Sequence, residues 1–169
     1  MLITKKIEKL LNAQVGNEFH AALQYEAISS YLSSETLPVL SAYFSKQATE
    51  ERQHAQKFIR FINDTDATLD IPAIPKVVST FKSVESAVKL SLKQEYLVTD
   101  QINKIMDQAK MENNHVTENF LFFFIEEQLE EISSMKDLLS IVQRAGKDRM
   151  LMVEEYLMRN PLGASHAND

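Results

Sequence analysis

The stretch LSAYFSKQATEERQHAQKFIRF, residues 40–61, decides the fold. Leu40, Phe44, Phe58 and Phe61 lie on one helical stripe, at alternating spacings of four and three, that runs on through Gln47, Glu51 and His54. It reads as an amphipathic helix whose core face turns polar at its middle. The same interruption recurs three times. Upstream, the stripe Ile7, Leu11, Gln14, Glu18, Ala21, Tyr25, Ile28, Leu32 is broken at Glu18. Downstream, Val88, Leu92, Glu95, Thr99, Ile102, Met106 is broken at Glu95, and Leu121, Phe124, Gln128, Glu131, Met135, Leu138, Val142 at Gln128 and Glu131.

Four such stripes in 169 residues, with only three Gly and four Pro, predict one all-α domain over residues 1–160. Helix A is expected from the cap Thr4 to Ser33, and helix B from near Thr36, with Pro38 in its first turn, to Asn63. The segment Asp64–Lys82 carries Pro72 and Pro75 and has no helical period. At nineteen residues it reads as a crossover spanning the bundle's height, which makes helices B and C parallel. Helix C is expected from the cap Ser83 to Asn113 or Asn114, helix D from Thr117 to Gly146, and a short fifth helix from the cap Asp148 to Met158. Residues 161–169 read as a disordered tail.

Adjacent long helices overlap along most of their length, so four midpoints meet at one level. Taken singly, a Glu on a helical stripe usually reaches solvent, and one Glu-x-x-His is common by chance. Four coincident interruptions reverse that judgement. Burying one ionised carboxylate costs several kcal/mol, so Glu18, Glu51, Glu95 and Glu131 must protonate or bind cations. Two divalent ions neutralise four carboxylates. Glu51 and His54 share a face and can hold one ion together. Oxygen ligands with one imidazole and no thiolate suit iron or manganese better than structural zinc. Gln14, Gln47 and Thr99 read as polar groups bordering the site, and Tyr25 either as core packing or as a hydrogen-bond donor to a ligand.

Composition narrows the rest. The formal net charge of -6 and the lack of a basic run argue against a nucleic-acid partner. No Cys means no disulfide and no thiolate site, which suits a cytoplasmic setting. The chain enters helix A without a signal-like apolar region, and no segment reads as a membrane span.

The motifs Asn17-Glu18 with Tyr25, Glu50-Glu51-Arg52-Gln53-His54, Gln94-Glu95 and Glu127-Gln128-Leu129-Glu130-Glu131 resemble those of the ferritin family, particularly the bacterial non-haem ferritins. The resemblance covers the chain to about Asn160. It implies a ferritin-like four-helix bundle, the first metal on Glu18, Glu51 and His54, and the second on Glu51, Glu95 and Glu131 with Gln128 beside it. Gln128-x-x-Glu131 stands where a second Glu-x-x-His would hold a permanent di-iron cofactor, so the resemblance favours iron in transit. Arg52 stands where bacterioferritins carry their haem-ligating Met, so no haem is expected. Glu50, Glu127 and Glu130 match a third iron site, against the plainer reading of an acidic solvated face. The implied chemistry is ferroxidase: paired Fe2+ oxidised by dioxygen or hydrogen peroxide, and ferric mineral stored in a homo-oligomeric cage of twenty-four subunits.

The family's fifth helix lines a four-fold channel, and Met150, Val153 and Leu157 give this one an apolar stripe. Tyr31, Leu37, Phe81 and Met111 read as surface apolar residues for subunit contacts or for packing under the crossover, and Glu112 and Glu118 as candidates for an iron entry channel. The alternatives are a di-iron or di-manganese oxidase or peroxidase that forms no cage, a DNA-protecting mini-ferritin, and a helical scaffold with a buried polar layer.

Overall fold

The computed structural model describes residues 2–163. Five α-helices are present among them: α1 (Lys5–Ser34), α2 (Pro38–Asp64), α3 (Val84–Met111), α4 (His115–Ala145) and α5 (Met150–Arg159). Thr4 caps α1 by accepting the Ile7 N–H, and Ser83 and Ser86 form a reciprocal capping box on α3. Asn114 caps α4 by accepting the Thr117 N–H at 3.0 Å, so α4 starts at His115 rather than at Thr117 and α3 stops at Met111.

The ends of α1, α2 and α3 share one device. Thr36, Asp66 and Asn113 take φ values of 61°, 58° and 52°. Each is followed by an N–H that reaches back five residues to a helix carbonyl: Leu37 to Leu32, Ala67 to Ile62 and Asn114 to Ala109. These are Schellman endings made without glycine. The start of α2 has no side-chain cap of its own. The buried carboxylate of Glu154 supplies it, accepting the Val39 and Leu40 N–H groups at 2.7 and 2.8 Å. That bond, with Val153 and Leu157 buried below it, pins α5 across the end of the bundle. Asp148, read as the cap of α5, lies instead in a 3₁₀ turn, Lys147–Arg149, and α5 begins at Met150 without a side-chain cap.

The crossover is tied along α1 by two amide side chains. Asn12 donates to the Thr68 carbonyl and accepts the Asp70 N–H, and Gln24 does the same with both backbone groups of Val78. Between them Pro72 lies so close to Gly16 that a Cβ there would sit 2.4 Å from its ring. The crossover therefore climbs α1 from start to end, α3 begins where α2 began, and α2 and α3 run parallel. Leu37 is buried in the core rather than at the surface, because the αL turn at Thr36 folds it inward. Tyr31 and Phe81 pack together at 5.1 Å where the crossover meets α3, and Met111 is exposed. Glu112 accepts the Thr4 hydroxyl, and Glu118 pairs with His115 at 3.2 Å.

The core is split in two. One apolar cluster gathers Tyr25, Ile28, Leu32, Leu40, Phe44, Val88, Met135 and Leu138; the other Ile7, Leu11, Phe58, Ile62, Ile102, Leu121 and Phe124. The polar midpoints lie between them. Leu162 is half-buried against the first cluster, and residues 164–169 of the expected tail lie outside the described residues.

Candidate metal centre

Glu18 (α1), Glu51 and His54 (α2) and Glu95 (α3) are buried together with Gln128 (α4), and Glu131 (α4) is half-buried. Among the described residues, one set of three potential metal ligands has atoms all within 4.8 Å of one another: Glu18, Glu51 and His54. His54 Nδ1 lies 3.1 Å from Glu51 Oε2, and its other nitrogen lies 3.7 Å from Glu127. The imidazole packs at a steep angle against the rings of Phe123 and Phe124, at 6.1 and 5.5 Å. Glu18 accepts one bond from Gln14 at 2.8 Å and stands within hydrogen-bond reach of the Glu51 carboxyl, while its Oε2 is enclosed with no N–H or hydroxyl donor beside it. A buried carboxylate oxygen left unpaired is costly, and a cation beside His54 and Glu51 would satisfy it. The donor set fits an iron ion.

On the α3–α4 side the carboxylates are already engaged. Tyr25 donates its hydroxyl to Glu95, which fixes the residue as a hydrogen-bonding partner as well as a core ring. Gln128 Nε2 lies 3.2 Å from the Glu95 carboxylate and the same distance from its carbonyl and from Thr99 Oγ1. Gln47 donates to Glu131 at 2.6 Å. These bonds place Gln14, Gln47 and Thr99 around the carboxylates.

Electrostatics follow from the crowding. Burial pushes the Glu18 carboxyl far above its usual range, and the charge of Glu51 pushes it further. Glu51 is raised by burial and then by Glu95. Burial also raises Glu95, against the bonds from Tyr25 and Gln128, and raises Glu131 to about 8 with help from Glu95 and Glu50. Without a cation the layer holds protons; with one it can give them up.

Glu50, Glu127 and Glu130 are half-buried and line a cavity between α2 and α4. Glu50 pairs with Lys46 at 3.2 Å, and Glu127 faces His54. These three do not form a compact ligand set. Two features escaped the sequence reading. The edge contacts of Phe123 and Phe124 on His54 join different helices, and no spacing signals them. Tyr43, whose hydroxyl is enclosed without a partner, stands four residues before Gln47 and seven before Glu50, a stripe that could have marked it.

The profile of the Ferritin-like domain family matches residues 8–145. Ferritin BfrB of Mycolicibacterium smegmatis is 36% identical over 154 residues, covering 91% of this chain and 84% of that protein. Bacterial non-heme ferritin of Staphylococcus aureus is 32% identical over 163 residues, 96% of each chain. Among solved structures, an open pore ferritin from the hyperthermophilic archaeon Archaeoglobus fulgidus superposes with a TM-score of 0.89 at 28% identity, over 92% of this chain and 96% of that one. No helix among the described residues is long and apolar enough to cross a membrane.

Proposed function

Since the chain belongs to the ferritin family, we propose that it oxidises Fe2+ at a pair of sites in its polar layer and stores the ferric product in a cage of twenty-four copies. The observation that carries this is the buried trio Glu18, Glu51 and His54 with an unpartnered Glu18 oxygen. These three bind the first Fe2+. Glu51 bridges to a second Fe2+ held by Glu95 and Glu131, with Gln128 alongside. Tyr25 keeps Glu95 oriented. Each Fe2+ gives one electron, so one pair reduces dioxygen to hydrogen peroxide, or hydrogen peroxide to water, taking two protons either way. Binding Fe2+ displaces protons from the raised carboxyls, leaving the layer neutral.

The α3–α4 half offers no imidazole and already engages its carboxylates with the neutral donors Tyr25, Gln128 and Gln47, which supports release of the oxidised ions over retention. Glu50, Glu127 and Glu130 receive them on the way out. A reducing, cytoplasmic setting suits this chemistry. The deciding experiment is anaerobic Fe2+ titration followed by oxygen exposure, with mass read by light scattering. About two tightly bound Fe2+ per chain, oxidised on exposure, and a particle of twenty-four chains are the expected results. Failure to bind about two Fe2+ per chain would overturn the paired sites, and a small oligomer would overturn the store.

A further inference from the structure

A cavity of about 500 Å3 opens between α2 and α4, with Glu50, Glu127, Glu130 and Glu131 on its walls. Four carboxyls face one ammonium, that of Lys46, which leans on Glu50 and is largely solvated. On the α2 wall stands Tyr43, its ring edge-on to Phe44 at 5.3 Å. Its hydroxyl exposes essentially no surface and makes no hydrogen bond. Burial, and after it the charges of Glu131, Glu95 and Glu50, make this phenol hold its proton well beyond the usual range while no cation is near. An enclosed hydroxyl without a partner is costly, and native proteins seldom leave one without a use. Tyr25, by contrast, already spends its hydroxyl on Glu95.

A phenol oxygen is a hard donor, and once bound to Fe3+ it gives up its proton readily. We propose that Tyr43 is a ligand for ferric iron in this cavity, taking the oxidised ion as it leaves the inner pair. The step breaks the Tyr43 O–H bond, forms an Fe–O bond and releases one proton to solvent through the cavity mouth; no electron moves. Glu131 bounds both the inner layer and the cavity, so the ion shifts along one carboxylate. The proposal rests on the ferroxidase reading.

The test is visible absorption and resonance Raman spectroscopy while Fe2+ is added to the assembled protein in air. A phenolate-to-Fe3+ charge-transfer band with tyrosinate vibrations is expected in the wild type, lost in Y43F and retained in Y31F. Since the hydroxyl has no partner, metal-free Y43F is expected to melt no lower than the wild type. A band that survives in Y43F, or a Y43F melting point several degrees lower, overturns the proposal. So does a wild type that oxidises Fe2+ without the band, an outcome that leaves the ferroxidase reading intact. Failure to oxidise Fe2+ at all overturns both.

Discussion

On the α1–α2 side of the polar layer Glu18, Glu51 and His54 stand with ligand atoms within 4.8 Å, and one carboxylate oxygen has no partner. On the α3–α4 side Glu95 and Glu131 are each bonded to neutral donors, Tyr25, Gln128 and Gln47. The first half is costly to fold and has most to gain from a cation; the second is partly satisfied without one. The proposed pair is therefore a stronger site and a weaker one, and Fe2+ is expected to fill them in that order.

Removing the residue the halves share should do the most damage. Glu51→Ala takes a ligand from both ions, and tight Fe2+ binding in anaerobic titration is expected to disappear at both, with the oxidation rate falling on the order of 100-fold or more. If one tight Fe2+ survived, Glu51 would not be the bridge. Next comes His54→Ala, which touches only the first half. It should weaken the first ion by roughly 10–100-fold, to the level of the second, so that the two-step isotherm collapses into one. Equal weakening of both would erase the asymmetry.

The third effect is seen without metal. A carboxyl with a higher pKa in the folded chain keeps its proton after the unfolded chain has lost it. Folded stability is thus fully present below about pH 4.5 and falls as pH rises toward 8, the value for Glu131, with Glu18, Glu51 and Glu95 adding the same sign. One unit is about 1.4 kcal/mol, so a loss of at least a few kcal/mol, or roughly 10 °C in melting midpoint, is expected between pH 5 and 8. Metal-loaded protein should show little of it. A metal-free midpoint that rose over this range would mean the layer is ionised and solvated.

These halves were only partly legible in the sequence. The four stripes and their polar centres were, because helical period and burial dictate both: Glu18, Glu51, Glu95 and Glu131 sit where apolar residues should. The crossover was legible from Pro72, Pro75 and its length. What could not be read depends on groups far apart in the chain. Glu154 caps α2 from 114 and 115 residues away, and Asn12 and Gln24 bind the crossover across more than fifty. The Schellman ends escaped because Thr36, Asp66 and Asn113 stand where glycine is the usual signal. That Tyr25 could donate to a ligand was legible from its place on the stripe of Glu18; that the ligand is Glu95, 70 residues away, was not.

The smallest change is the finest probe of the weaker half. Gln47 touches Glu131 at 2.6 Å, and among the described residues no hydrogen bond links it to the Glu18–Glu51–His54 trio. Replacing it by Leu keeps the side chain's bulk and removes one hydrogen bond to the charged form of Glu131, a bond of about 1.5–3 kcal/mol. The Glu131 carboxyl then holds its proton more tightly, so the second Fe2+ must displace a more reluctant proton. Below pH 8 its affinity should drop roughly 10-fold while the first ion binds as before. The defect should shrink as pH rises past the raised Glu131 value, because the proton competes less. A deficit that stayed constant from pH 6 to 9 would mean Gln47 acts by shaping the ligand rather than by holding its charge.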